Sequence, residues 1–131
     1  MRSGILVSLI LITAICSCQK KDSTAPDPAS VSINITSPAS GQVYHSGDTI
    51  SIDADVTYTS ELHGYEVKIA DTASGFVVYD DAQHVHDDHF NIHDKWVNTG
   101  TQATGLKLTL TAIVDHDGGG TEKNIDFEYQ P

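Results

Sequence analysis

A period of two limits what this chain can fold into. Leu106, Leu108, Leu110, Ala112 and Val114 are apolar, and Lys107, Thr109 and Thr111 between them are polar. Ile50, Ile52, Ala54, Val56 and Tyr58 repeat the pattern against Ser51, Asp53, Asp55 and Thr57. Successive side chains of a strand leave opposite faces, so such runs bury one face and wet the other, whereas a helix would spread the same residues all round. Shorter runs run through Val31, Ile33 and Ile35; Tyr65, Val67 and Ile69; Phe76 to Tyr79; Phe90 and Ile92; and Ile125, Phe127 and Tyr129. Turn-forming stretches separate them: Ser37-Pro38-Ala39-Ser40-Gly41, Ser46-Gly47-Asp48, Gly75, and His116-Asp117-Gly118-Gly119-Gly120. Seven half-buried strands predict an all-β, antiparallel β-sandwich.

One position resists the alternation. If Phe90, Ile92 and Trp96 point inward, Asp94 does too, and an unpaired buried carboxylate is expensive. The expectation is that the strand ends or bulges near Asp94, with Trp96 reaching the core from the following loop.

The N-terminal region reads differently. Met1-Arg2-Ser3 carries one positive charge and Gly4 to Ile15 is almost unbroken apolar sequence. That is shorter than the roughly 20 residues a spanning helix needs, and suits a secretory signal. The stretch Ile15-Cys16-Ser17-Cys18 resembles the lipobox of bacterial lipoproteins, in which a small residue precedes the lipidated cysteine. Ser17 fits that position before Cys18 and Ile15 before Cys16 does not. The resemblance implies a signal peptide over 1–17, lipid on Cys18, and anchoring to a membrane without crossing it. Gln19-Lys20-Lys21-Asp22 resembles the short charged signal that sends Bacteroidota lipoproteins to the cell surface. It implies the outer membrane and leaves the exposed face open. Charged, small and proline residues over 18–30 read as a flexible tether, and 31–131 as one domain. Both cysteines precede that domain, so it has no disulfide and no cysteine metal ligand.

Net charge is −11, and residues 31–131 hold four lysines and no arginine. That excludes nucleic acid as a partner, because phosphate binding needs cationic side chains. There is no Gly-x-Ser-x-Gly, no phosphate-binding glycine loop and no His-Glu-x-x-His. Adjacent acids such as Asp80-Asp81 and Asp87-Asp88 suit a solvated surface better than acid–base work. The chain reads as non-catalytic.

The histidines carry the chemistry. Four of the seven fall in HVHDDHFNIHDKW, residues 84–96. Imidazole is the commonest side-chain ligand for zinc and copper. His84 and His86, two apart in extended backbone, leave the same face. His89 and His93 share the outer face of the following strand. His63 lies in Leu62-His63-Gly64-Tyr65, where Gly64 allows close backbone approach. His116 lies in Asp115-His116-Asp117-Gly118, where a carboxylate orients an imidazole or Asp117 makes the turn. Calcium is the weaker reading, since the full twelve-residue calcium-loop pattern is absent.

The stretch INITSPASGQVYHSGDTISIDADV resembles bacterial immunoglobulin-like domains. With LHGYEVKI, HVHDDHFNIHDKW and LTAIVDHDGG, nearly the whole domain resembles a family of uncharacterised Bacteroidota lipoproteins with this sandwich and scattered histidines. The resemblance implies an immunoglobulin-like fold and an envelope location. It implies no activity.

In a sandwich of consecutive antiparallel strands, successive connections alternate between the two poles. His63, then His84 and His86, then His116 fall in connections on one pole, and His45 on the other. His63, His84, His86 and His116 are therefore the expected ligands of a zinc or copper ion, with His89 as an outside candidate. The alternative is a protein- or glycan-interaction module with incidental histidines. A pH-responsive surface is a third reading.

Overall fold

The computed structural model describes residues 30–131. The signal, Cys18 and the tether up to Ala29 lie outside the described residues. Eight strands follow in order: β1 Ser32–Ser37, β2 Val43–His45, β3 Thr49–Leu62, β4 Gly64–Asp71, β5 Val77–Gln83, β6 Asp87–Val97, β7 Thr104–Ile113 and β8 Gly120–Gln130. They form a three-stranded sheet, β1-β3-β6, facing a five-stranded one, β2-β8-β7-β4-β5. The alternating residues close the core between them. Ile50, Val56, Leu62, Val67, Ile69 and Leu108 are each fully buried, and Phe127 and Tyr129 nearly so.

The seven expected runs are all strands. The eighth, β2, has three residues and runs parallel to β8, pairing Tyr44 with Tyr129 and His45 with Gln130. Every other pairing is antiparallel.

The expectation at Asp94 is corrected. Strand β6 continues through it in regular register, Ile52 opposite Asp94 and Ile50 opposite Trp96. The irregularity in this pair lies elsewhere, between Thr57 and Leu62. Asp94 does face inward, and the Tyr79 hydroxyl of the opposite sheet donates to its carboxylate. A hydrogen bond from across the sandwich offsets the desolvation that a bulge would have avoided. Trp96 packs on the core from within the strand.

At the pole where β4 turns into β5, the Asp71 carboxylate accepts bonds from the backbone N–H groups of Ala73 and Ser74 and from the hydroxyls of Ser74 and Thr104. These donors, the Thr104 hydroxyl foremost, hold its pKa down at about 2. A depressed carboxylate contributes stability above its unfolded value of 3.8 and loses it as pH falls toward about 2. Asp71→Asn should therefore unfold more easily than the parent at neutral pH, and the difference should shrink across that acid window. Urea titrations at a series of pH values measure it; a constant difference would contradict the assignment.

Candidate metal centre

Three connections meet at one pole: His63 between β3 and β4, residues 84–86 between β5 and β6, and residues 114–119 between β7 and β8. The His63 backbone N–H donates to the carbonyl of Ile113 at 2.7 Å, which seats the first connection against the third. Gly64 follows at φ +145°, and a Cβ there would stand 2.3 Å from the carbonyl oxygen of Gln83. The bare backbone that the sequence suggested at Gly64 thus brings His63 beside His84 and His86. In the third connection Asp115, not Asp117, makes the turn, with its Oδ1 accepting from the N–H groups of Asp117 and Gly119. That oxygen is committed to backbone donors, which further weakens the calcium reading.

The four imidazoles converge. Ring centroids are 4.3 Å apart for His63 and His116, 4.5 Å for His84 and His86, and 5.0 Å for His63 and His86. His116 stands 6.2 Å from His86 and 6.3 Å from His84. Metal–nitrogen bonds of about 2.0–2.1 Å in a tetrahedron set two ligating ring centroids about 5 Å apart. The observed spacings bracket that value, although the donor atoms that already lie together are those of Glu61, His63 and His86, and His84 and His116 would have to turn toward them.

The hydrogen bonds fix the tautomers. His86 Nδ1 lies 2.7 Å from Glu61 Oε1, and His86 Nε2 lies 2.8 Å from His84 Nε2. A carboxylate only accepts, so neutral His86 carries its proton on Nδ1 and donates it to Glu61. His86 Nε2 is then a lone pair, and His84 Nε2–H donates to it. This is the carboxylate–imidazole relation that orients a metal ligand. One donor atom each from Glu61, His63 and His86 lies within 4.8 Å of the others. His63 Nδ1 is buried without a hydrogen-bond partner among the described residues, an arrangement that normally has an explanation.

Glu61 was missed in the sequence, although a signal existed: it precedes His63 by two residues in extended backbone, so both side chains leave one face. His89 and His93 lie apart on the outer face of the three-stranded sheet. His89 Nε2 is 2.6 Å from Asp55 Oδ2, and His93 Nδ1 is 2.8 Å from Asp53 Oδ1. The hydrogen bond to Asp55 raises the His89 pKa, against a smaller opposing effect of desolvation. These histidines are matched to carboxylates of the neighbouring strand and make no ring contact with the polar cluster. His45 lies at the opposite pole, where the Asp48 backbone N–H bonds to its carbonyl.

Two facing sheets with this strand order make the chain an immunoglobulin-like β-sandwich, here with an imidazole cluster at one pole. Among solved structures it is similar to the CARDB domain of a Pyrococcus furiosus protein, determined in complex with di-metal ions, at 12% identity and a TM-score of 0.50 over 80% of this chain and 89% of that one. It is also similar to the fibronectin(III)-like modules of Clostridium thermocellum CbhA, at 19% identity and a TM-score of 0.47 over 75% of this chain and 94% of that one. No protein-family description and no curated protein matches the sequence.

Proposed function

We propose that the domain binds one divalent transition-metal ion, zinc or copper, at the histidine pole. We further propose that the chain is a non-catalytic metal-handling protein held at the outer membrane by lipid on Cys18. The observation that carries the metal reading is the convergence of His63, His84, His86 and His116 from three separate connections, with Glu61 behind His86. Scattered, solvated histidines have no reason to share one pole of so acidic a domain. Four imidazoles would fill a tetrahedral shell and leave no open position, which suits holding an ion better than activating water on it. Ligation through His84 Nε2 would move its proton to Nδ1, and any imidazole protonated in acid would first have to lose a proton, so binding weakens as pH falls.

The test is elemental analysis of residues 30–131 produced without a histidine tag, followed by calorimetric titration with zinc and with copper(II). One ion per chain is expected, with affinity at least about tenfold lower at about pH 5.5 than at about pH 7.5. No uptake of either metal would overturn the reading. Equal affinity at the two pH values would move the site to carboxylates.

A further inference from the structure

We infer that the pole opposite the histidines is a binding site for a neutral saccharide. Two adjoining cavities open there, of about 630 and 440 Å³, and both are lined by Phe76, Val78, Asn98 and Gly100. Phe76 stands between them with 71% of its surface exposed, in the turn ahead of β5. A phenylalanine this bare in so small a domain has most of its ring free for a ligand. Val77 and Val97, 41% and 47% exposed, extend the apolar rim.

The polar groups are placed to complement it. Asn98 is the one buried polar residue among those described, at 6% exposed. Its Oδ1 accepts the Gly100 N–H at 2.7 Å, which rigidifies the connection between β6 and β7. Its amide nitrogen has no hydrogen-bond partner among the described residues, yet Asn98 lines both cavities. That nitrogen is not sealed from solvent, so it is free to donate to a ligand hydroxyl in either cavity. Thr101 and Gln102 line the larger cavity and add a hydroxyl and an amide.

This lining selects the ligand class. No lysine, arginine or histidine lines either cavity, so phosphate and carboxylate groups find no counter-charge in a domain already strongly acidic. Asn98, Thr101 and Gln102 stand among the apolar lining residues, which is poor for an acyl chain. The edge strands β5 and β6 lend the cavities only Val77 and Val78, and Trp96 and Val97, too short a stretch of free edge to pair with an extended peptide. A sugar ring has an apolar C–H face and a hydroxyl rim. The first would stack on Phe76, and the second would meet Asn98, Thr101 and Gln102. The site is independent of the metal reading, being at the other pole.

Trp96, the only tryptophan, lines the smaller cavity beside Phe76 and reports on it. The full chain, in a detergent without a sugar headgroup, is titrated with neutral hexasaccharides of glucose, xylose, mannose and galactose while Trp96 emission is followed. A saturable change with at least one of them is expected. Phe76→Ala should weaken it about tenfold or more with an unchanged melting temperature, and Phe76→Tyr should retain it. His86→Ala and added chelator should leave it unaltered. No saturable response to any of the four up to about 10 mM overturns the inference. So does a response that Phe76→Ala leaves intact, or one given by decanoate micelles and by none of the sugars.

Discussion

Gly64→Ala should be among the most damaging single substitutions in the domain, although it adds one methyl group. The new Cβ would lie 2.3 Å from the backbone oxygen of Gln83, and backbone cannot swing aside as a flexible side chain does. The residue also sits at φ +145°, where side-chain-bearing residues are strained. Strain and overpacking together predict a loss of about 2–4 kcal/mol. Gly118→Ala is the control: it too has a positive φ, +87°, but open space around it. It should lose only about 1 kcal/mol. Urea midpoints of the two variants measure the difference, and equal losses would mean that close approach at Gly64 is not what matters. Because Gly64 and Gln83 bring His63 up to His84 and His86, a Gly64→Ala chain that still folds should also lose metal affinity.

The second large effect is a melting temperature that depends on zinc. At a free concentration about a hundredfold above its dissociation constant, an ion that binds only the folded chain adds about 2.7 kcal/mol. For a domain of this size that corresponds to a rise of about 10–20 °C. His86→Ala should abolish the rise, because His86 joins Glu61 to His84 through both ring nitrogens. Glu61→Gln should keep a smaller rise, with affinity about 10–100-fold lower, as loss of an orienting carboxylate usually gives. His89→Ala should leave it unchanged, since that ring is paired with Asp55 on the outer sheet face. Calorimetric scans with and without zinc decide among these. A rise that survives His86→Ala would remove the polar cluster as its source.

What the sequence allowed one to see depended on period and topology. Alternation over Ile50 to Tyr58 and Leu106 to Val114 sufficed for the core, because each buried side chain there answers to its own two-residue phase. The convergence of His63, His84, His86 and His116 needed only the alternation of strand direction. Glu61 escaped because β3 loses register with β6 between Thr57 and Leu62, where the buried phase is interrupted by Thr59, Ser60 and Glu61, all exposed. Asp94 was misread because its partner, the Tyr79 hydroxyl, comes from the other sheet, and no local pattern announces a bond across a sandwich. Val43–His45 is too short to show a period, and its pairing with β8 is set by distant residues. Phe76 joined its neighbours as apparent core, since apolar character alone does not reveal that the chain is still turning there.

The parallel pairing of β2 with β8 has a mechanical consequence. Strand β1 begins in the histidine half of the sandwich, with Ser32 opposite Thr57, whereas β8 ends at the far pole beside His45. Tension between the two ends of the domain therefore runs along the strands. It drags β8 lengthwise past β2, and the three registered pairs from Val43–Glu128 to His45–Gln130 resist together instead of opening one after another. If the N-terminal end is fixed to a surface and the end of β8 is pulled, the β2–β8 pairing meets that load in shear. A three-residue strand that places one side chain, Tyr44, in the core would then act as a latch.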